Sequence, residues 1–152
     1  MSCCAPFVPP FTGSGSGGGG GGAAGPYSPP EKWNINNVAA DLTNEVVPAL
    51  VSVNFDDIKM INDGSIVGIG WRWTDPITGG EATIIPTING VAATLTGTSD
   101  SGTNPSGGEE TQASGVDVYS AGDLLGFKLT TNAELTPDGT TNLEIWLIVE
   151  DS

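Results

Sequence analysis

The clearest pattern in the chain lies near its end, where Leu143, Ile145, Leu147 and Val149 alternate with Glu144, Trp146, Ile148 and Glu150. A period of two is the mark of a β-strand with one buried face. Trp146 and Ile148 make the other face apolar as well, and a small two-sheet protein has no helices with which to cover it. Trp146 and Ile148 are therefore expected at an interface between copies of the chain. A second run, Ser65 to Thr74, puts Val67, Ile69, Trp71 and Trp73 on one face and Gly68, Gly70 and Arg72 on the other.

The remaining strands are punctuated by turn residues. Glu81 to Ile88 and Val91 to Thr98 flank Asn89-Gly90, a pair suited to the positive φ angles of a two-residue hairpin turn. Val116 to Ser120 and Leu124 to Thr130 flank Ala121-Gly122-Asp123, and Thr136-Pro137-Asp138-Gly139 is the turn before the last strand. Val46 to Phe55 reads as a strand interrupted at Pro48, hence an edge or a bulge. Ser99 to Gln112 reads as a polar loop and a natural exposed recognition element.

Upstream of Glu31 the pattern stops. Residues 1–30 form an arm: a tip with Cys3, Cys4, Phe7, Val8 and Phe11, a glycine-rich spacer from Gly13 to Gly25, and a stiffer Pro26 to Pro30 segment. A tail that merely solvates has no use for Phe7, Val8 and Phe11, so these are expected to dock into a partner. The head is expected over 31–152, roughly 120 residues, enough for a sandwich of short antiparallel strands. The fold class expected is all-β.

Composition narrows the function. Against 18 acidic residues stand 4 basic ones, a formal charge of −14. Such a chain repels phosphate backbones and anionic lipid, which argues against nucleic-acid and membrane-surface binding. No apolar run is long enough to cross a bilayer. The start, Met1-Ser2-Cys3-Cys4-Ala5-Pro6, lacks the basic and apolar regions of a secretory signal, so synthesis in a cytoplasm is expected, with release by another route.

Catalysis by a Ser-His or Cys-His pair is excluded, because the chain has no histidine. No cofactor is expected. Asp56, Asp57 and Asp63 could offer oxygen ligands to Ca²⁺, but without EF-hand spacing, and acidic turn residues are ordinary in such a chain. Trp71-Arg72-Trp73 could stack on a sugar, yet the alternation places both tryptophans with Val67 and Ile69, which favours packing. Cys3 and Cys4 are adjacent and are the only cysteines. An unstrained bridge must then join different chains, and the alternative is two free thiols.

The order of motifs from Ser65 onward resembles a trimeric jelly-roll head. Ile66-Val67-Gly68-Ile69, Ala82 to Ile88 running into Asn89-Gly90-Val91, Tyr119 to Thr131 with its Ala-Gly-Asp turn, and Leu143 to Glu150 carry the resemblance. Such heads occur on phage fibres and virion decoration proteins and, more distantly, as tumour-necrosis-factor-like heads on bacterial collagen-like stalks. The resemblance implies a jelly-roll sandwich, a homotrimer and a preceding anchor. The chain departs from it in having plain glycine where the family has a collagen-like or coiled-coil stalk. A structural virion protein is thus expected: a short tail fibre whose arm binds other virion proteins and whose head meets the host surface, with its glycans as a possible target. The alternatives are a capsid decoration protein and a free lectin or carbohydrate-active protein.

Overall fold

In the computed structural model, residues 32–47 and 57–152 are described. Eleven strands are found among them: β1 (Trp33–Ile35), β2 (Glu45–Val47), β3 (Ile58–Lys59), β4 (Gly64–Trp73), β5 (Glu81–Ile88), β6 (Val91–Ala92), β7 (Gly97–Asp100), β8 (Gly107–Thr111), β9 (Asp117–Tyr119), β10 (Leu124–Thr131) and β11 (Leu143–Asp151). They form two antiparallel sheets, ordered β1-β11-β4-β8 and β2-β10-β5-β6.

Three of the short strands continue others end to end. β9 follows β8 along one edge of β4, β3 follows β2 along β10, and β7 follows β6 along β5. Joined this way, the eleven strands are eight rods, four in each sheet, and the chain crosses between the sheets as a jelly roll does. The all-β antiparallel sandwich expected from the alternation is the observed fold.

Interior positions are filled from both sheets. Ile66, Ile69, Trp71, Leu143, Ile145, Leu147 and Val149 of one sheet meet Ala82, Ile84, Leu125, Phe127 and Leu129 of the other. Trp33 stands edge-on to Phe127 with ring centroids 4.9 Å apart, joining β1 to the second sheet. The four inward residues expected of the last strand are all buried.

The strand around Trp71 departs from strict alternation. Pairing of β11 with β4 shifts between Ile148 and Val149, so Gly68 faces Ile148, Ile66 faces Val149, and Val67 is the extra residue of a bulge. The bulge brings Ile66 into the core instead of Val67, which is 8% exposed and outside the core cluster. An alternating pattern cannot show an inserted residue.

One other segment folds differently from its sequence pattern. Ser99 to Gln112 is not one loop, because it holds the end of β7 and the whole of β8. The turn at Ala121-Gly122-Asp123 is present, but the strands it joins lie in different sheets: β9 pairs with β4, β10 with β5. Turn chemistry marks where the chain reverses but not which strand it pairs with next. Pro86 lies inside β5, where the neighbouring strand changes from β7 to β6. That gap is where a residue without an N–H is tolerated.

Candidate functional site

The outer face of the first sheet is built from cross-strand rows. Glu144 faces Arg72 and Asn34, Trp146 faces Gly70, Ile148 faces Gly68, and Glu150 faces Ser65, which in turn faces Val118. Gly70 and Gly68 form a trough along β4 into which the two apolar side chains of β11 lie. A Cβ on Gly70 would fall 2.3 Å from Trp146 Cε2, and one on Gly68 would fall 3.0 Å from Ile148 Cδ1. Trp146 and Ile148 are consequently half-buried within a single chain. Part of the covering expected from another subunit is thus supplied by the glycines of the same sheet. Further along, in the row of Glu150 and Ser65, Val118 is 62% exposed, and Val116, just ahead of β9, is 49% exposed.

Charged groups edge this face. Lys32 Nζ donates to Glu144 Oε1 at 2.5 Å, and Arg72 Nη2 donates to Glu144 Oε2 at 2.8 Å. The same ammonium stands 5.9 Å from the centre of the Trp146 ring, within cation–π range. The Lys32 hydrogen bond and charge, with that of Arg72, hold the Glu144 carboxyl below its ordinary value against the opposing effect of burial.

A second constellation closes one end of the sandwich. Asn89 and Gly90 both have positive φ, 52° and 77°, as a two-residue hairpin turn requires. Asn89 Nδ2 donates to Asp123 Oδ1 at 2.8 Å, while Asn89 Oδ1 accepts from Leu124 N at 2.9 Å. Asp123 also accepts from Ser120 N through Oδ2, and its backbone carbonyl accepts from Met60 N. The Ser120 and Asn89 hydrogen bonds lower the Asp123 carboxyl below its usual range. Alongside, Asp63 Oδ1 accepts from Ala121 N at 2.7 Å. An open cavity of about 520 Å³ lies here, lined by Ile61, Asn62, Asp63, Ala121, Asp151 and Ser152.

Among the described residues, Asp117 is the one carboxylate taken into the body of the head. It is 8% exposed and accepts from Thr94 N (2.8 Å), Leu95 N (3.1 Å) and Gln112 Nε2 (2.7 Å). Gln112 Nε2 also donates to Ile66 O, so this carboxylate pins the loop before β7 to the edge of the first sheet. Burial pushes its pKa up, but the donors from Thr94, Gln112 and Leu95 outweigh it and the net shift is downward. Its sequence signal is an acid between Val116 and Val118, at an inward position of a strand.

Most other candidates have structural surroundings. Trp71 and Trp73 are buried in the core and offer no sugar platform, while Arg72 projects outward to Glu144. Among the described residues no group of three or more His, Cys, Asp or Glu side chains could hold a metal ion. Of the three aspartates considered for Ca²⁺, Asp63 is engaged by Ala121 N and Asp56 lies outside the described residues. The turn at 101–106 is tied down, with Gly102 N and Thr103 N donating to Asp100 Oδ1 and Ile77 N donating to Pro105 O. Cys3, Cys4, Phe7, Val8 and Phe11 lie outside the described residues.

The fold and these surfaces define a jelly-roll β-sandwich with an apolar, charge-edged outer face. No protein-family model matches the chain, and no curated protein matches it.

Proposed function

We propose that this chain is a non-catalytic structural and adhesion protein of a virion, a short trimeric fibre head carried on a glycine-rich anchoring arm. The observation that carries the proposal is the outer face of the first sheet. Trp146 and Ile148 form an apolar ridge, with the exposed Val118 in the row of Glu150 and Ser65 and the exposed Val116 just ahead of β9, in a chain whose charge of −14 otherwise favours staying apart. Three copies packed on this face bury the ridge, and the arm residues Phe7, Val8 and Phe11 then bind the particle. Disulfides between chains through Cys3 and Cys4 make the joint covalent.

Light scattering on the full chain tests the assembly. A trimer at micromolar concentration that falls apart on Val118→Glu is expected, and a stable monomer overturns it. On intact particles, a fibre is present in small multiples of three at the tail, whereas hundreds of copies on the capsid identify a decoration protein instead.

A further inference from the structure

Asn89-Gly90 is the only Asn-Gly pair in the chain. In that pair the following backbone nitrogen meets no side-chain obstacle on its way to the asparagine Cγ. Here the approach is open: nothing lies within 4 Å of where a Gly90 side chain would begin, and both residues are exposed. Lys128 Nζ donates to Gly90 O at 2.9 Å, placing a positive charge at the carbonyl of the residue whose nitrogen must lose its proton to attack.

Opposing this, the Asn89 amide is held at both ends. Its nitrogen donates to Asp123 Oδ1 and its oxygen accepts from Leu124 N, while Asn89 N donates to Leu124 O at 2.7 Å. Cγ cannot turn toward Gly90 N without breaking the first two bonds.

We propose that Asn89 is a deamidation site kept unreacted by Asp123 and Leu124, and that its conversion releases the turns it holds together. In the step, Gly90 N bonds to Asn89 Cγ. The bond from Cγ to Nδ2 breaks, and ammonia leaves with the proton from Gly90 N. Water then opens the resulting imide. Cleavage at the Cγ side restores the chain with aspartate, and cleavage at the main-chain carbonyl gives isoaspartate with an extra methylene in the backbone.

Both products lose the Nδ2 donor that met Asp123: isoaspartate by taking Cγ into the main chain, and aspartate by putting a carboxylate oxygen in its place. In the aspartate product two negative acceptors then face each other where one hydrogen bond stood. Isoaspartate also ends the two-residue turn geometry. The loosening reaches Ser120 and Met60, because Asp123 holds both.

The test incubates the full chain at physiological temperature in mildly alkaline buffer and maps its peptides by mass spectrometry. Folded wild type, folded Asp123→Ala and wild type in denaturant are followed in parallel. Conversion at Asn89 is expected to be slowest in the folded wild type, several-fold faster in Asp123→Ala and fastest in denaturant. Equal rates in the two folded proteins, or a folded wild type as fast as the denatured chain, overturn the protection. Should Asp123→Ala fail to fold, Asn89→Asp still decides the coupling by amide hydrogen exchange. Faster exchange at Leu124 and Ser120 is expected, and unchanged exchange overturns the release.

Discussion

Trp146 lies across Gly70, its cross-strand partner, so closely that a Cβ on the glycine would sit 2.3 Å from the indole ring. Alanine in place of a strand glycine normally stabilises by limiting the unfolded chain. Here the sign reverses. Gly70→Ala is expected to expel the ring and cost about 1–3 kcal/mol, the usual range for overpacking. Thermal unfolding with tryptophan emission checks it, because a displaced Trp146 shifts to the red. A variant as stable as wild type would show that the ring is not held on the glycine.

The two core tryptophans are predicted to differ. Trp73 Nε1 donates to Ser99 Oγ at 3.0 Å, whereas Trp71 Nε1 is buried without a hydrogen-bond partner among the described residues. Both lose comparable volume on replacement by phenylalanine. Trp73→Phe is therefore expected to cost about 1–2 kcal/mol more than Trp71→Phe, the difference a satisfied buried hydrogen bond makes. Denaturant titration of the two variants measures it directly.

Asp117 carries an acid sensitivity. Its pKa is depressed below the ordinary 3.8, so its contribution is present in full above that value and disappears as pH falls through the folded-state pKa. Asp117→Asn sets an amide N–H against donors from Thr94, Leu95 and Gln112, and is expected to cost about 2–3 kcal/mol at neutral pH. As pH falls below the ordinary carboxylate range and the native carboxyl protonates, the wild type and the variant are expected to converge in stability. Parallel unfolding curves across that range decide the matter.

Glu144 is placed to make a smaller contribution. Its carboxyl is held below the ordinary 4.5 by Lys32 first and Arg72 second, so its stabilisation is also lost on acidification. Both partners are substantially exposed, and exposed pairs are screened. Glu144→Gln is expected to cost no more than about 1 kcal/mol, and less in high salt. A loss that does not diminish with salt would place its origin in packing against Trp146 rather than in charge.

Deletion of residues 1–30 is predicted to leave a folded head, because among the described residues the core cluster runs from Trp33 to Val149 and draws on both sheets. Circular dichroism and cooperative unfolding test the fold. Loss of particle attachment tests the anchoring arm, and a truncated chain that still attached at normal occupancy would remove the arm from that role. Non-reducing electrophoresis of intact particles tests the bridges at Cys3 and Cys4, where a monomer band with and without reductant excludes them.

The sequence by itself determined the elements that depend on local chemistry. The inward set Leu143, Ile145, Leu147 and Val149 followed from a period of two, and the turn at Asn89-Gly90 from two residues that tolerate positive φ. Only the tertiary structure decided what these elements meet. The bulge at Val67 reset one strand's faces, since an inserted residue leaves no mark in an alternating pattern. The pairing of β9 with β4 and of β10 with β5 depends on the path of the whole chain through two sheets. Asn89 and Asp123 are 34 residues apart, and Gly70 and Trp146 are brought together by strand register. Each residue type was visible in isolation, but a hydrogen bond or a packed ring requires a partner, and long-range pairing supplies it.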